Sequence, residues 1–183
     1  MSEIDQYLNS VTFTPAVVGY LRENSSDLVC LIERKKVSGG LGQDLVAGIG
    51  GKVGDSPEIQ DETPDEAMDR ETNEEVGDKE TGGIKVLEKT SMGRVRFIFT
   101  HKPLDSTWNQ DVQIYTISRW EGTPTETESA KPVWFKIGEI PWERMWEDNQ
   151  QWLPKVLSGQ RVNAIFLFSD DNKIAESRFE DQT

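Results

Sequence analysis

Apolar and polar positions trade places along VTFTPAVVGYL (11–21) and LVCLIERKK (28–36), with RENSSD (22–27) between them. The β-branched and aromatic content of the two runs, and the Asn-Ser-Ser-Asp cluster that parts them, predict strand, turn, strand. VSGGLGQD (37–44) reads as a glycine-rich loop, and LVAGIGGKVG (45–54) as a short apolar piece thick with glycine. The latter has neither P-loop spacing nor a strand-then-helix setting, which excludes a Walker motif. The pattern then changes period. Met68, Thr72 and Val76 recur at i, i+4 and i+8, the inward stripe of a helix over about 63–76. Thr63 suits its N-cap, Pro64 its first turn, and Gly77 its stop. IKVLEKTSM (84–92), GRVRFIFTHKP (93–103), DVQIYTISRWEG (111–122) and KPVWFKI (131–137) read as four further strands. A helix near 149–158 and a hairpin turning at Ser169–Asp170–Asp171–Asn172 close the chain. Strands outnumber helices and some helices lie between strands. That is an α+β pattern, a mixed sheet covered by helices.

Length and charge narrow the picture. A chain of 183 residues is long enough for one domain with a real core, here taken as 1–183 with residues 1–10 mobile. Six tryptophans and seven phenylalanines argue against disorder. The formal charge is −13, and twelve acids fall between Asp55 and Glu80 against only Arg70 and Lys79, a local net of −10. The acidity therefore belongs to one region. With no basic stripe to displace counterions, binding to duplex nucleic acid is not expected. A single nucleotide arriving with metal remains compatible. The one cysteine, Cys30, lies in the apolar run LVCLI and reads as a small buried hydrophobe. MSEIDQYLNS does not resemble a signal peptide, and no apolar run approaches the ~20 residues of a membrane span, so a cytoplasmic protein is expected.

The acidic helix carries the candidate chemistry. Glu71, Glu74 and Glu75 stand at i, i+3 and i+4 on one face, where like charges repel by roughly 0.2–0.5 kcal/mol per pair. Glu74 and Glu75 also oppose the helix dipole near its C-terminus. A solvated face is the plain explanation. A face that must hold a divalent cation is the other, and the surrounding residues favour it. Glu62 lies eight residues before Arg70, Glu71 follows directly, and Glu74-Glu75 is followed by a glycine after one residue, with Gly50-Gly51 upstream.

This arrangement resembles the signature of the Nudix hydrolases: Gly, five residues, Glu, seven residues, Arg-Glu, apolar, any, Glu-Glu, any, Gly, apolar. All the charged positions match. Gly51 takes the first glycine's place if about five residues are inserted near SPEIQ, lengthening the loop over 52–62, at little entropic cost. The two apolar positions have become Thr72 and Asp78, which implies weaker anchoring of the helix. The resemblance implies a Nudix fold, an α/β/α sandwich. It implies Glu71, Glu74, Glu75 and the Gly50 carbonyl as ligands of Mg²⁺, with Mn²⁺ as a substitute. Glu75 leads in catalysis, assisted by Glu74 and by Arg70, which pairs with Glu62 or Glu74. No His or Cys clusters nearby, which favours Mg²⁺ over Zn²⁺. His101, the only histidine, has no assigned part.

The likeness extends past the helix. GTP (122–124), the acidic stretch after it, PVWF (132–135), IP (140–141) and MWEDNQQWLP (145–154) occur in the order found in the oxidised-purine nucleoside triphosphatases, the MutT-like 8-oxo-dGTP diphosphatase branch. That branch implies Trp146 stacking on a purine, Asp148 and Asn149 reading its edge, and Phe97 and Phe99 in the pocket. Ordinary core packing is the slightly favoured explanation of Phe97, Phe99 and Trp152, and the pocket that of Trp146. Asn149 stands where the branch has a second acid, and Ala47 where it has an asparagine. Ser129 aligns with a distant glutamate, with Glu128 beside it. The implied activity is Mg²⁺-dependent conversion of an oxidised purine nucleoside triphosphate such as 8-oxo-dGTP to monophosphate and pyrophosphate, cleaning the nucleotide pool. A Nudix enzyme for a nucleotide sugar or another modified nucleotide, and a non-catalytic Nudix binding module, are the alternatives. The small nucleotide is the expected partner of a monomer or weak dimer.

Overall fold

The computed structural model describes residues 2–23, 25–35 and 45–181; the predicted glycine-rich loop at 37–44 lies outside them. The described strands are β1 (Thr14–Leu21), β2 (Leu28–Arg34), β3 (Val46–Ala47), β4 (Ile49–Lys52), β5 (Lys85–Phe99), β6 (Gln110–Glu121), β7 (Ala130–Lys136), β8 (Val162–Phe168) and β9 (Ile174–Phe179). They join in one mixed sheet of order β3-β2-β1-β6-β5-β8-β9, with β4 on β1 and β7 on β2. β1 runs parallel to β6 and β5 parallel to β8. The other pairings are antiparallel. The expected strands over 84–103 are one strand, β5. Its register slips between Ser91 and Arg94, at Gly93 with φ 97°, so the glycine makes a bulge and not a break.

Helices cover both faces of the sheet. α2 (Pro64–Val76) is held at its start by a capping box in which Thr63 and Glu66 satisfy each other's backbone N–H. Its Ala67, Met68 and Val76 pack with Val17, Leu21, Cys30 and Ile117. α3 (Asn149–Leu157) buries Trp152, Leu153, Val156 and Leu157 with Ala16, Tyr20, Val95 and Phe166 on the opposite face. The alternation along β1 produces this directly, since Ala16 and Tyr20 face one layer while Val17 and Leu21 face the other. Thr72, read as a weak point in the apolar stripe, is fully buried, and its hydroxyl donates to the Met68 carbonyl at 2.7 Å. The polar group is satisfied, so the expected loss of anchoring at this position does not follow.

Within the segment 1–10, expected to be mobile, the structure has a short helix, α1 (Glu3–Leu8). Ser2 and Asp5 form its capping box. Ile4 is fully buried against Ile98, Ile165 and Leu167, with Tyr7 and Leu8 beside them. Arg178 on β9 pairs with Asp5 at 2.7 Å. A six-residue helix is too short to stand alone, so docking of Ile4 is what keeps it. Ile4→Ala is expected to cost roughly 2–5 kcal/mol, read as a lower denaturation midpoint at unchanged slope. A cost near zero would mean that α1 is not docked.

Candidate active site

Arg70 organises the acidic side of the site. Its guanidinium takes Glu62 with two bonds, Nε to Oε1 at 2.7 Å and Nη2 to Oε2 at 2.9 Å. Nη1 donates to Glu71 at 2.8 Å and to Glu74 at 3.1 Å, and Nη2 also donates to the Lys52 carbonyl at 2.9 Å. Both partners offered by the sequence, Glu62 and Glu74, are therefore engaged, together with Glu71. Glu62 further accepts the Gly54 N–H at 3.0 Å. The long 52–62 loop, with one 3₁₀ turn at Pro57–Ile59, is thus clamped to α2 at both ends. Hydrogen bonding to Arg70 holds the Glu62 carboxyl below its ordinary range, and the same bond raises the affinity of Arg70 for its proton.

The three glutamates of α2 are not equivalent. Glu71 and Glu75 are buried, whereas the Glu74 side chain is half exposed. Gly51 makes room for Glu71: a β-carbon there would stand 2.3–2.8 Å from the carboxylate. Glu75 accepts the Gly50 N–H at 2.9 Å and Arg34 Nη1 at 3.0 Å. Arg34 Nη2 reaches the Gly50 carbonyl at 3.2 Å. The Glu75 main-chain carbonyl accepts the Thr127 hydroxyl at 2.9 Å, and Gly77 caps the helix just beyond. Burial raises the Glu71 carboxyl above its usual value, against the pull of Arg70. Burial pushes Glu75 up to about 7, opposed by Arg34 and by the Gly50 N–H.

A cleft of ≈ 520 Å³ runs from residues that contact these glutamates to an aromatic side, though Glu71, Glu74 and Glu75 do not themselves line it. Arg34, Gly50, Gly51 and Lys52 line it together with Phe97, Phe99, Trp108, Trp146, Asp148 and Asn149. Phe99 stacks on Phe168 at 4.9 Å and meets Trp146 and Trp108 edge-on at 6.0 and 5.3 Å. Phe97 and Phe99 are thus both core and wall, and Trp146 is half-buried at the cleft. Asp148 is buried, and its Oδ2 accepts the Trp152 indole N–H at 2.8 Å. Asn149 donates to the Trp146 carbonyl at 3.1 Å, which leaves its amide oxygen to accept. Ala47 lines the same cleft. Glu128 and Ser129 are exposed, and Ser129 contacts Thr127 at 3.2 Å. His101 meets Phe99 edge-on at 6.0 Å. Three participants were absent from the sequence reading: Arg34 at the end of β2, Trp108, and Tyr20 in β1.

The oxygen donors here, two buried carboxylates, one exposed carboxylate and the Gly50 carbonyl, include no nitrogen or sulfur. Such a set fits a hard cation of the Mg²⁺ or Mn²⁺ type. Among the described residues no group of three Asp, Glu, His or Cys side chains stands gathered as a finished metal shell. The carboxylates lean on Arg34 and Arg70, which supply the neutralising charge in this structure.

Burial also raises Asp148 from 3.8 to about 6, against the Trp152 hydrogen bond. The folded state keeps this proton to higher pH than the unfolded chain. The stability carried by the neutral form is therefore present below about pH 4 and lost as pH rises through about 6. Asp148→Asn keeps an acceptor for Trp152 and removes the ionisation. The variant should gain on the order of 2–3 kcal/mol over the wild type between pH 4 and pH 7.5, measured by denaturant unfolding. A difference that does not change with pH would contradict the burial of this carboxyl.

Comparison with known proteins agrees with this geometry. A family model described as NUDIX domain matches residues 12–156. The oxidized purine nucleoside triphosphate hydrolase of Danio rerio is 31% identical over 142 residues, 78% of this chain and 81% of the relative. The Mus musculus protein of the same name is 30% identical over 135 residues, 74% and 77% of the two chains. Among solved structures, the mMutator MutT protein of Bacillus halodurans superposes with a TM-score of 0.71 at 19% identity, covering 92% of this chain and 98% of that one, a likeness of fold. No helix among the described residues is long and apolar enough to cross a membrane. With the family model spanning most of its length and relatives at or above 30% identity, this chain belongs to the Nudix family of hydrolases.

Proposed function

We propose that this protein hydrolyses oxidised purine nucleoside triphosphates, of the 8-oxo-dGTP type, to nucleoside monophosphate and pyrophosphate. Mg²⁺ is the proposed cofactor and Mn²⁺ its substitute. The observation that carries this reading is the single cleft shared by the Gly50–Arg34 side and the Trp146–Asp148 side. A base held among the aromatic rings brings its phosphates toward the carboxylates of α2. The names of the two relatives at about 30% identity support the same substrate class. A role in cleaning the nucleotide pool goes with that chemistry, and the cytoplasm is the proposed place for it.

Each residue then has a definable task. Glu71, Glu74, Glu75 and the Gly50 carbonyl are the proposed cation ligands. Bound metal would neutralise charge on the phosphates and acidify a water. Glu75, held by Arg34 and the Gly50 N–H beside the cleft, is the proposed acceptor of the proton of an attacking water. Arg70 holds Glu71 and Glu74 in place and ties them to Glu62. Arg34 offers a guanidinium to phosphate once metal takes over its partners. Trp146, Phe97 and Phe99 supply apolar wall to the base, and Asp148 and Asn149 supply polar atoms to its edge.

Two residues favour a second reading. Ala47 carries no polar side-chain atom, and Asn149 presents an amide in place of an acid, so a different modified nucleotide or a nucleotide sugar is the rival substrate. Incubation with Mg²⁺ and a panel of normal and oxidised nucleoside triphosphates, nucleotide sugars and dinucleoside polyphosphates separates the two. Monophosphate and pyrophosphate should appear fastest from the oxidised purine triphosphates and vanish on chelation of the metal. Glu75→Gln should lower turnover by about 10²–10⁴-fold. Undiminished turnover in that variant would put the hydrolytic site elsewhere, and preferred release from a nucleotide sugar would select the rival.

A further inference from the structure

Tyr20 combines three properties that ordinary core packing does not require together. It is only 1% exposed, it lines the cleft, and its hydroxyl makes no hydrogen bond among the described residues, yet it is not one of their sealed unpartnered polar atoms, which are Asn172 Oδ1 and Arg178 Nε. A hydroxyl with no protein partner is costly unless water or a ligand reaches it from the cleft, whereas a phenylalanine would fill the same space without that need. The surroundings are built for the ring. Gly48 abuts it, and a β-carbon at that position would stand 2.8–2.9 Å from the ring atoms. Trp152 meets it edge-on at 6.3 Å, and the same indole holds Asp148. Ala47 and Gly48, beside it, bring no polar side-chain atom. Burial, with the nearby Asp148 charge adding to it, keeps the phenol protonated, so the hydroxyl remains a donor at any working pH.

We propose that Tyr20 is a base-reading residue of this cleft: its hydroxyl donates a hydrogen bond to an acceptor on the edge of the bound base, next to the position that Asp148 reads. When ionised, Asp148 only accepts, while Tyr20 donates. Together they select an edge that carries an N–H beside a carbonyl or a bare ring nitrogen. Phosphates and sugar are left to the other side of the cleft. This rests on the nucleotide reading given above and adds to it a specificity-determining residue.

Tyr20→Phe removes the donor and keeps the ring. Binding is measured by calorimetry for the wild type and the variant with 8-oxo-dGMP, dGMP and dAMP, and with 2-deoxyribose 5-phosphate as a probe without a base. The tightest nucleotide should bind about three- to tenfold more weakly to the variant, the size expected for one neutral hydrogen bond. The sugar phosphate should bind both proteins equally. The variant's melting temperature should stay about the same, because the hydroxyl bonds no protein group among the described residues. Equal nucleotide affinity in the two proteins, or a lowered melting temperature with affinity unchanged, would make Tyr20 a core residue and overturn the inference alone. A wild type that binds no nucleotide better than the sugar phosphate would overturn the nucleotide reading itself, and the inference with it.

Discussion

Two carboxylates, Glu71 and Glu75, are buried on one side of a single helix, and each must be compensated by nearby charge or hydrogen bonds. Taking an ionised carboxylate out of water costs several kcal/mol even after relaxation. The compensation comes from three elements: Arg34 from β2, the Gly50 N–H from β4, and Arg70 from the helix itself. Burial still wins in part, since both groups remain harder to ionise than in water. A helix face assembled in this way is poorly suited to stability, and on the proposed reading an arriving cation would complete a neutralisation that the protein leaves partial.

The same network explains how the fold accommodates its irregularities. The long loop before α2 does not weaken the site, because Glu62 at its far end binds Arg70 through both oxygens while Lys52 and Gly54 at its near end join the same cluster. Gly51 lets β4 approach the Glu71 carboxylate closely. From β4 the cleft opens onto aromatic rings carried by β5, β8 and the start of α3, so a base and its phosphates can be held at once by elements that are rigidly packed in one sheet.

Much of this was legible in the chain. α2 announced itself through Thr63, Pro64 and the Met68–Thr72–Val76 stripe because capping and periodicity are local. The acidic set was legible through its spacing. Arg34 was not, because it reaches Glu75 across 41 residues and Gly50 across 16, and only the pairing of strands brings them together. Tyr20 in an apolar run reads as core, and nothing local reveals that it lines the cleft. Gly93 reads as a break between strands and is a bulge within one. The start of the chain did carry a signal, Ser2 with Asp5 and the Ile4, Tyr7, Leu8 face. A helix of six residues is stable only through its docking, which a local pattern does not disclose.

The central claim is that the buried carboxylate face of α2 is a cation site coupled to the cleft. Titration with Mn²⁺, followed by the loss of the free-ion electron paramagnetic resonance signal, tests it without relying on turnover. The wild type should bind the ion, and bind it more tightly when a nucleoside monophosphate is present. The double variant Glu71→Gln, Glu75→Gln should lose that binding while keeping its fold. Equal Mn²⁺ binding by the wild type and the double variant would contradict the account.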